Sequence, residues 1–401
     1  MAAFPVGRFR KFVVYLAMSL AGVMLVVDTV KMYVKVDYSD FDVYYKASER
    51  MSAGNWKGLY DFNTDGSNPF RYSPLVLPLF RFLSMIPHGW SRMLWFYFQF
   101  GCFLVGFWIL YRTIRHFRER DDALFIMCVS WLFSLRFVQD SLVVGQTTGV
   151  MFLGFNICLN AWFRGEPIAA GFGSFIPAVL KVAPALNIGL LLVRSPRQFG
   201  VEVVKTLVAL CGLLVVPLIV LSGGWEEFMT LWRAWWTVLV NDSAFFHPAH
   251  YGNQSLKGFL WRMFFAGHIS RGAADAVLGA ATVAGIVSLL VFWWRRRCDD
   301  FRTMGLFFSL GVMAYLLFMP ITFKYSMPCL AIPVAFMISG NMGWLDRVVF
   351  AAGALTLSLA GYDIVGERVF FALQKASVPL FVMVLITACL ARQAWRMSVK
   401  R

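Results

Sequence analysis

Long apolar blocks separated by short basic joints fill most of this chain. Two stretches, 35–89 and 222–273, break that rhythm with polar and acidic residues. A helix that crosses a bilayer needs ~20 consecutive apolar residues. Such blocks lie at Phe12–Val34, Trp90–Thr113, Ala123–Val138, Leu142–Phe163, Val201–Leu221 and Ala274–Trp294. Ile168–Val193 reads as a short hairpin turning near Lys181. Two more hairpins pair Met304–Met319 with Tyr325–Ile338, and Val348–Tyr362 with Ala376–Leu390. The pattern predicts about twelve crossings.

Charge then decides how the blocks alternate across the membrane. Ser73–Ile86 is apolar but only ~14 residues long, and it holds Pro74, Pro78 and Arg81, which suits a helix lying at the interface. If it crossed, the following span would deliver Arg112, Arg115, Arg118 and Arg120 to the outer side, against the preference of basic loops for the cytoplasm. Kept at the surface, it leaves both termini in the cytoplasm and both long loops outside. The basic start (Arg8, Arg10, Lys11) before the first apolar run resembles a signal peptide but lacks a small-residue cleavage site, so it reads as a retained span.

Composition agrees. At 59% hydrophobic, 17% aromatic and a mean hydropathy of +0.65, the 401 residues carry more apolar surface than a soluble core could hide. The net charge of +15 raises nucleic acid as a partner. The basic residues instead sit in short clusters beside apolar blocks, which is membrane anchoring, and no nucleic-acid partner is expected. The seven cysteines are scattered without a CxxC pair, so neither a disulfide framework nor a zinc site is indicated. No fixed-period repeat or low-complexity linker divides the chain. The reading is an all-α polytopic membrane protein, one integral-membrane domain over 1–401, with amphipathic interfacial helices in its two outer loops. In the second loop Trp225, Phe228, Trp232, Trp235, Trp236 and Leu239 recur at helical spacing, as in a helix resting on the outer leaflet.

The first loop supplies most of the candidate chemistry. Ser39 and Asp42 have capping-box spacing, with Ser39 as N-cap and Asp42 reaching back to it. Asp40 is then a first-turn acid without that duty: either simply favourable against the helix dipole, or an ionised carboxylate ready to take a proton from a hydroxyl. The DxD spacing also suits a metal pair, but no third ligand is near, and no metal or other cofactor is assigned. Tyr60, Arg71 and Tyr72 close the loop around Asn55, Asp65, Gly66, Ser67 and Asn68. Its aromatics suit sugar faces and Arg71 suits a phosphate. Gly145 and Gln146 fall near the outer end of a descending span. Lys181 and Lys324 lie in outer turns, where a lysine either snorkels to water or meets an anion such as a lipid phosphate. Asn253, Gln254 and Ser255 either cap the next helix or bind hydroxyls.

The ordered segments DFDVYYKA, GLY, RYSPL, VGQTTGVMFL, LKVAPAL, YGNQSLKGFLWR and MPITFKYSMPCLAIP together resemble glycosyltransferase family 87, of the GT-C superfamily. The resemblance implies a GT-C-type fold in the cytoplasmic membrane and inverting transfer on its outer, periplasmic side. The implied donor is a polyprenyl-phosphate-linked sugar, usually mannose or another hexose, and the acceptor is a lipid or glycan. The early first-loop acid that serves as base corresponds to Asp40. The donor phosphate would then lie near Lys181, Arg71 or Lys324, and sugar or acceptor near Asp42, Tyr44, Tyr72, Gln146, Asn253 and Gln254. Family members often carry a His in the late motif, where this chain reads ITFKYS with Lys324 and Tyr325. Two other readings are a transporter or flippase of lipid-linked sugars and a transferase-like scaffold without activity. The first would want charges near the bilayer midplane and internal symmetry, and neither stands out.

Overall fold

The computed structural model describes residues 6–34, 39–60, 70–245, 249–297, 300–340, 342–358, 361–397 and 399–400. Among them the architecture is helical: α1 (Val6–Val34), α2 (Ser39–Ser52), α3 (His88–Ile114), α4 (Arg120–Val144), α5 (Thr148–Arg164), α6 (Pro167–Leu180), α7 (Leu186–Arg194), α8 (Arg197–Ser222), α9 (Trp225–Phe245), α10 (Leu256–Phe265), α11 (Arg271–Arg295), α12 (Phe301–Phe318), α13 (Ala331–Ile338), α14 (Trp344–Gly353), α15 (Glu367–Lys375) and α16 (Val378–Met397), with short 3-10 turns between some of them. A two-residue antiparallel ladder joins Arg296–Arg297 to Val399–Lys400.

Six helices among the described residues are long and apolar enough to cross a bilayer: α1, α3, α8, α11, α12 and α16. The other segments expected to cross fall in shorter or interrupted helices, or in α4, which carries Arg136, Gln139 and Asp140 within its last turns. Burial sorts the six. In α8 and α11 only 11% and 6% of the apolar window is buried, against 78% in α12. Apolar helices with almost nothing covering them need lipid as solvent, whereas α12 and the wholly apolar α13 form the protein interior.

Two glycines shape the bundle. Gly145 ends α4 in the left-handed region at φ 81°, so the joint before α5 lies at 145–147 rather than near 140 as the hydropathy suggests. At Gly173 a Cβ would stand 2.4 Å from the backbone nitrogen of Cys158, so α6 and α5 pack backbone to backbone.

The apolar stretch after the first loop is a broken run of helical turns, Pro74–Met85, as its prolines and length require. Helix α9 differs from expectation. Phe228, Leu231, Trp235 and Val238 pack inward, at most 8% exposed, while Trp225 and Trp236 point out at 61% and 64%. The expected single aromatic stripe is thus divided. The 3-, 4- and 3-residue steps of the buried set follow one helix face, and that face rests on the turns Lys57–Tyr60 and Pro74–Val76.

The helices also define two ends. At one, His88 at the start of α3 meets Asp42, Asn253 bonds the Pro320 carbonyl just after α12, and Arg262 bonds Ser377 just before α16. At the other, Arg302 at the start of α12 bonds Gln393 near the end of α16, and Arg392 pairs with Asp346.

Candidate active site

Helix α2 is fixed by one face. Phe41, Tyr44, Ala47, Ser48 and Met51 are buried, a spacing that follows the helical turn. Tyr44 stacks on Phe80 at 4.8 Å, and the Ser48 hydroxyl donates to the Arg81 carbonyl at 2.9 Å. This packing against Pro74–Met85 and α3 holds Asp40, in the first turn, over the joint between α4 and α5.

There the Gln146 side-chain amide donates to the Asp40 carboxylate. The Tyr72 hydroxyl donates to Gln146 Oε1 at 3.2 Å and stands 2.8 Å from the Tyr44 hydroxyl and 3.2 Å from Thr147 Oγ1. The joint is itself anchored: Trp95 Nε1 donates to the Gly145 carbonyl at 2.8 Å, and the Gln146 N–H to the Ser141 carbonyl at 3.0 Å. Burial pushes the Asp40 carboxyl above its ordinary value, outweighing the Gln146 bond and the positive charges of Lys181 and Arg71, which pull it down. The result is a carboxylate more basic than one in water.

Both cations come from distant parts of the sequence. Lys181 is the extended residue that ends α6, and its Nζ donates to Ser326 Oγ at 3.5 Å. Burial lowers this ammonium to about 8, partly offset by Cys329 and then Asp40. Arg71 is held through its backbone, since Trp235 Nε1 of α9 donates to the Arg71 carbonyl at 3.1 Å. Tyr325 belongs to the same cluster, its side chain lying within electrostatic range of Asp40, Tyr72 and Arg71.

Asp40, Tyr44, Tyr72, Gln146, Arg71 and Lys181 are therefore brought together. The rest lie elsewhere or are otherwise engaged. Asp42 turns an oxygen to His88 Nε2 at 2.8 Å, so the two acids of the DxD spacing take different partners. Lys324 places its ammonium 4.3 Å over the Phe370 ring. Asn253 and Gln254 are fully buried. The Asn253 amide donates to the Pro320 carbonyl at 3.1 Å and accepts from the Thr322 N–H at 3.0 Å, while Gln254 donates to the carbonyls of Tyr251 and Gln374 at 2.6 and 3.0 Å. Both tie loops together. Ser255 does cap α10, accepting from the Gly258 N–H. The Ser39 side chain and Asp65, Gly66, Ser67 and Asn68 lie outside the described residues.

Sequence reasoning missed Thr147, Ser326 and the role of Trp235. Thr147 adjoins Gln146 in VGQTTG and was open to inspection; Ser326 and Trp235 carry no local signal. Among the described residues no group of three or more His, Cys, Asp or Glu is placed to hold a metal ion.

An acid beside two cations, at one end of an apolar helical bundle, is a setting for handling a hydroxyl and a phosphate together. The model of glycosyltransferase family 87 matches residues 70–320, more than half of the chain. The chain belongs to glycosyltransferase family 87. No curated protein sequence matches it. As a family 87 member it is a multi-pass membrane glycosyltransferase, acting on a sugar donor and an acceptor. The matched region contains Arg71, Tyr72, Gln146 and Lys181. It begins after Asp40 and ends before Lys324 and Tyr325.

Proposed function

We propose that this family 87 enzyme moves a hexosyl group, mannose being the first candidate, from a polyprenyl-phosphate donor to a hydroxyl of a lipid or glycan acceptor, with inversion. The observation that carries the reading is the Asp40 carboxylate, made more basic by burial and held on Gln146 within the field of Lys181 and Arg71. Asp40 takes the acceptor proton as the acceptor oxygen bonds to the anomeric carbon. On the opposite face the bond from that carbon to the phosphate oxygen breaks, and its electron pair leaves with the polyprenyl phosphate. Lys181 and Arg71 stabilise the charge that develops there. The scheme needs no metal.

Tyr72 gives the acceptor side an aromatic, hydroxyl-bearing wall, with the buried Tyr44 behind it holding the Tyr72 hydroxyl at 2.8 Å and Tyr325 close by. Asn253 and Gln254 act by holding the loop 250–255 against residues 320–322. Asp42 acts through His88, and Lys324 from its place on Phe370, at the edge of the site. By the positive-inside rule, the end bearing Arg302, Arg392 and Arg396 faces the cytoplasm, and Asp40 the outer side of the cytoplasmic membrane.

The test is incubation of the purified enzyme with polyprenyl-phosphate mannose, and in parallel with other polyprenyl-phosphate hexoses, in membranes of its own host. Mass spectrometry of lipids and glycans is the readout. A hexose added to an acceptor, with release of polyprenyl phosphate, is the expected result. Transfer only from a nucleotide sugar would overturn the donor assignment.

A further inference from the structure

Helices α11, α12 and α16 leave a groove of about 1090 Å³ between them, which runs from Arg295 and Arg296, at the end of the bundle away from Asp40, to Phe318 at the close of α12. It exists because α11 stands off from the core, with only 6% of its apolar window buried. The deep end lies at Gly285, where a Cβ would come 2.4 Å from the Phe318 ring, and the walls continue along Leu289, Ala314 and Ala391. The mouth is basic: Arg295 and Arg296 line it, and the Arg296 guanidinium lies 3.3 Å over the centroid of the Trp395 ring.

The dimensions match one leaflet. Gly285 to Arg295 is about ten residues, or ~15 Å of helix at 1.5 Å per residue, and that is half of a ~30 Å hydrocarbon core. A ligand filling the groove is therefore apolar for the depth of a leaflet and anionic at its end. Arg295 is exposed, and Arg296 is only 6% exposed. Arg295 and Arg296, both lining the rim of an apolar wall, favour a net negative headgroup over a zwitterionic one. The sugar donor is a poor match, because its phosphate must reach Lys181 and Arg71 at the opposite end of the helices.

We infer that this groove binds an anionic phospholipid of the leaflet facing away from Asp40. Its phosphate lies on Arg295 and Arg296, and one acyl chain runs between α11 and α16 towards Phe318. The lipid fills the space that keeps α11 from closing on the bundle.

The test uses the full chain, delipidated in detergent, with phosphatidylglycerol and phosphatidylcholine of identical acyl chains and, separately, a long-chain polyprenyl phosphate. Native mass spectrometry and thermal denaturation are the readouts. Phosphatidylglycerol should remain bound and raise the melting temperature by several degrees more than phosphatidylcholine. Arg295→Gln and Ser288→Trp each change an exposed position on the groove wall, so neither disturbs the core. Each should lower phosphatidylglycerol retention several-fold. Equal retention of the two phospholipids, or retention untouched by both variants, would overturn the inference. So would displacement of phosphatidylglycerol by the polyprenyl phosphate, which would assign the groove to the donor chain.

Discussion

The Gln146 amide reaches the Asp40 carboxylate across 106 positions of sequence, joining the first turn of α2 to the joint between α4 and α5. Through Tyr72 the same amide is tied to Tyr44 and Thr147. The orientation of the proposed base is thus set by parts of the chain that have no local relation.

Asp40→Asn keeps the size and the hydrogen-bonding capacity of the side chain but cannot take a proton. Transfer should fall by about 10²–10⁴-fold or more, the usual contribution of a general base. Because folding raises this carboxyl, ionisation opposes the folded state: the stability it gives is present at low pH and is lost as pH rises through the raised pKa. The variant should therefore melt at neutral pH no lower than the wild type. Near-normal turnover would sink the base assignment.

The pH profile should be bell-shaped. On the acid side, activity disappears as Asp40 is protonated, at a pH above that of an ordinary carboxylate. On the alkaline side, donor affinity weakens as Lys181 loses its charge near pH 8. Lys181→Arg, whose guanidinium stays protonated, should keep donor binding above pH 9. Gln146→Glu should push the acid limb to higher pH, because two adjacent carboxylates resist joint ionisation. Profiles of kcat/KM for the three proteins check both limbs.

Trp235→Phe removes the bond from α9 to the Arg71 carbonyl while keeping most of the buried ring. The loss of one hydrogen bond, about 1 kcal/mol, corresponds to roughly a five-fold rise in donor KM, with kcat changed less. Steady-state kinetics separates this from general unfolding, which would lower the amount of active enzyme and leave KM alone.

Gly173→Ala forces a methyl group against the Cys158 backbone, which has no rotamer with which to yield. Overpacking of this kind costs about 1–3 kcal/mol. A lower melting temperature is expected, with activity reduced because α6 also carries Lys181 at its end.

Much of the fold could be read directly. Apolar block length and basic clustering identified the membrane setting, and length and prolines the short, broken helical run expected at Ser73–Ile86 and found at Pro74–Met85, because lipid imposes a strict requirement on every segment it touches. Exact joints were less legible: hydropathy averages over windows, whereas Gly145 ends its helix through a single backbone dihedral. The division of α9 into an inward and an outward face was also hidden, since tryptophans facing protein and tryptophans facing lipid look alike in sequence.

The sequence by itself determined that the chain lives in a bilayer, that its first loop starts a helix with an acid in the first turn, and that its segments resemble those of family 87. Only the tertiary structure decided which candidates meet. It turned Asp40 to Gln146 and Asp42 to His88, brought Lys181 and Arg71 into the field of Asp40, and left Asn253 and Gln254 binding backbone. The reason is physical. Solvent preference is a property of each local segment, whereas the direction of a buried polar side chain is fixed by hydrogen-bond partners that arrive from elsewhere in the chain.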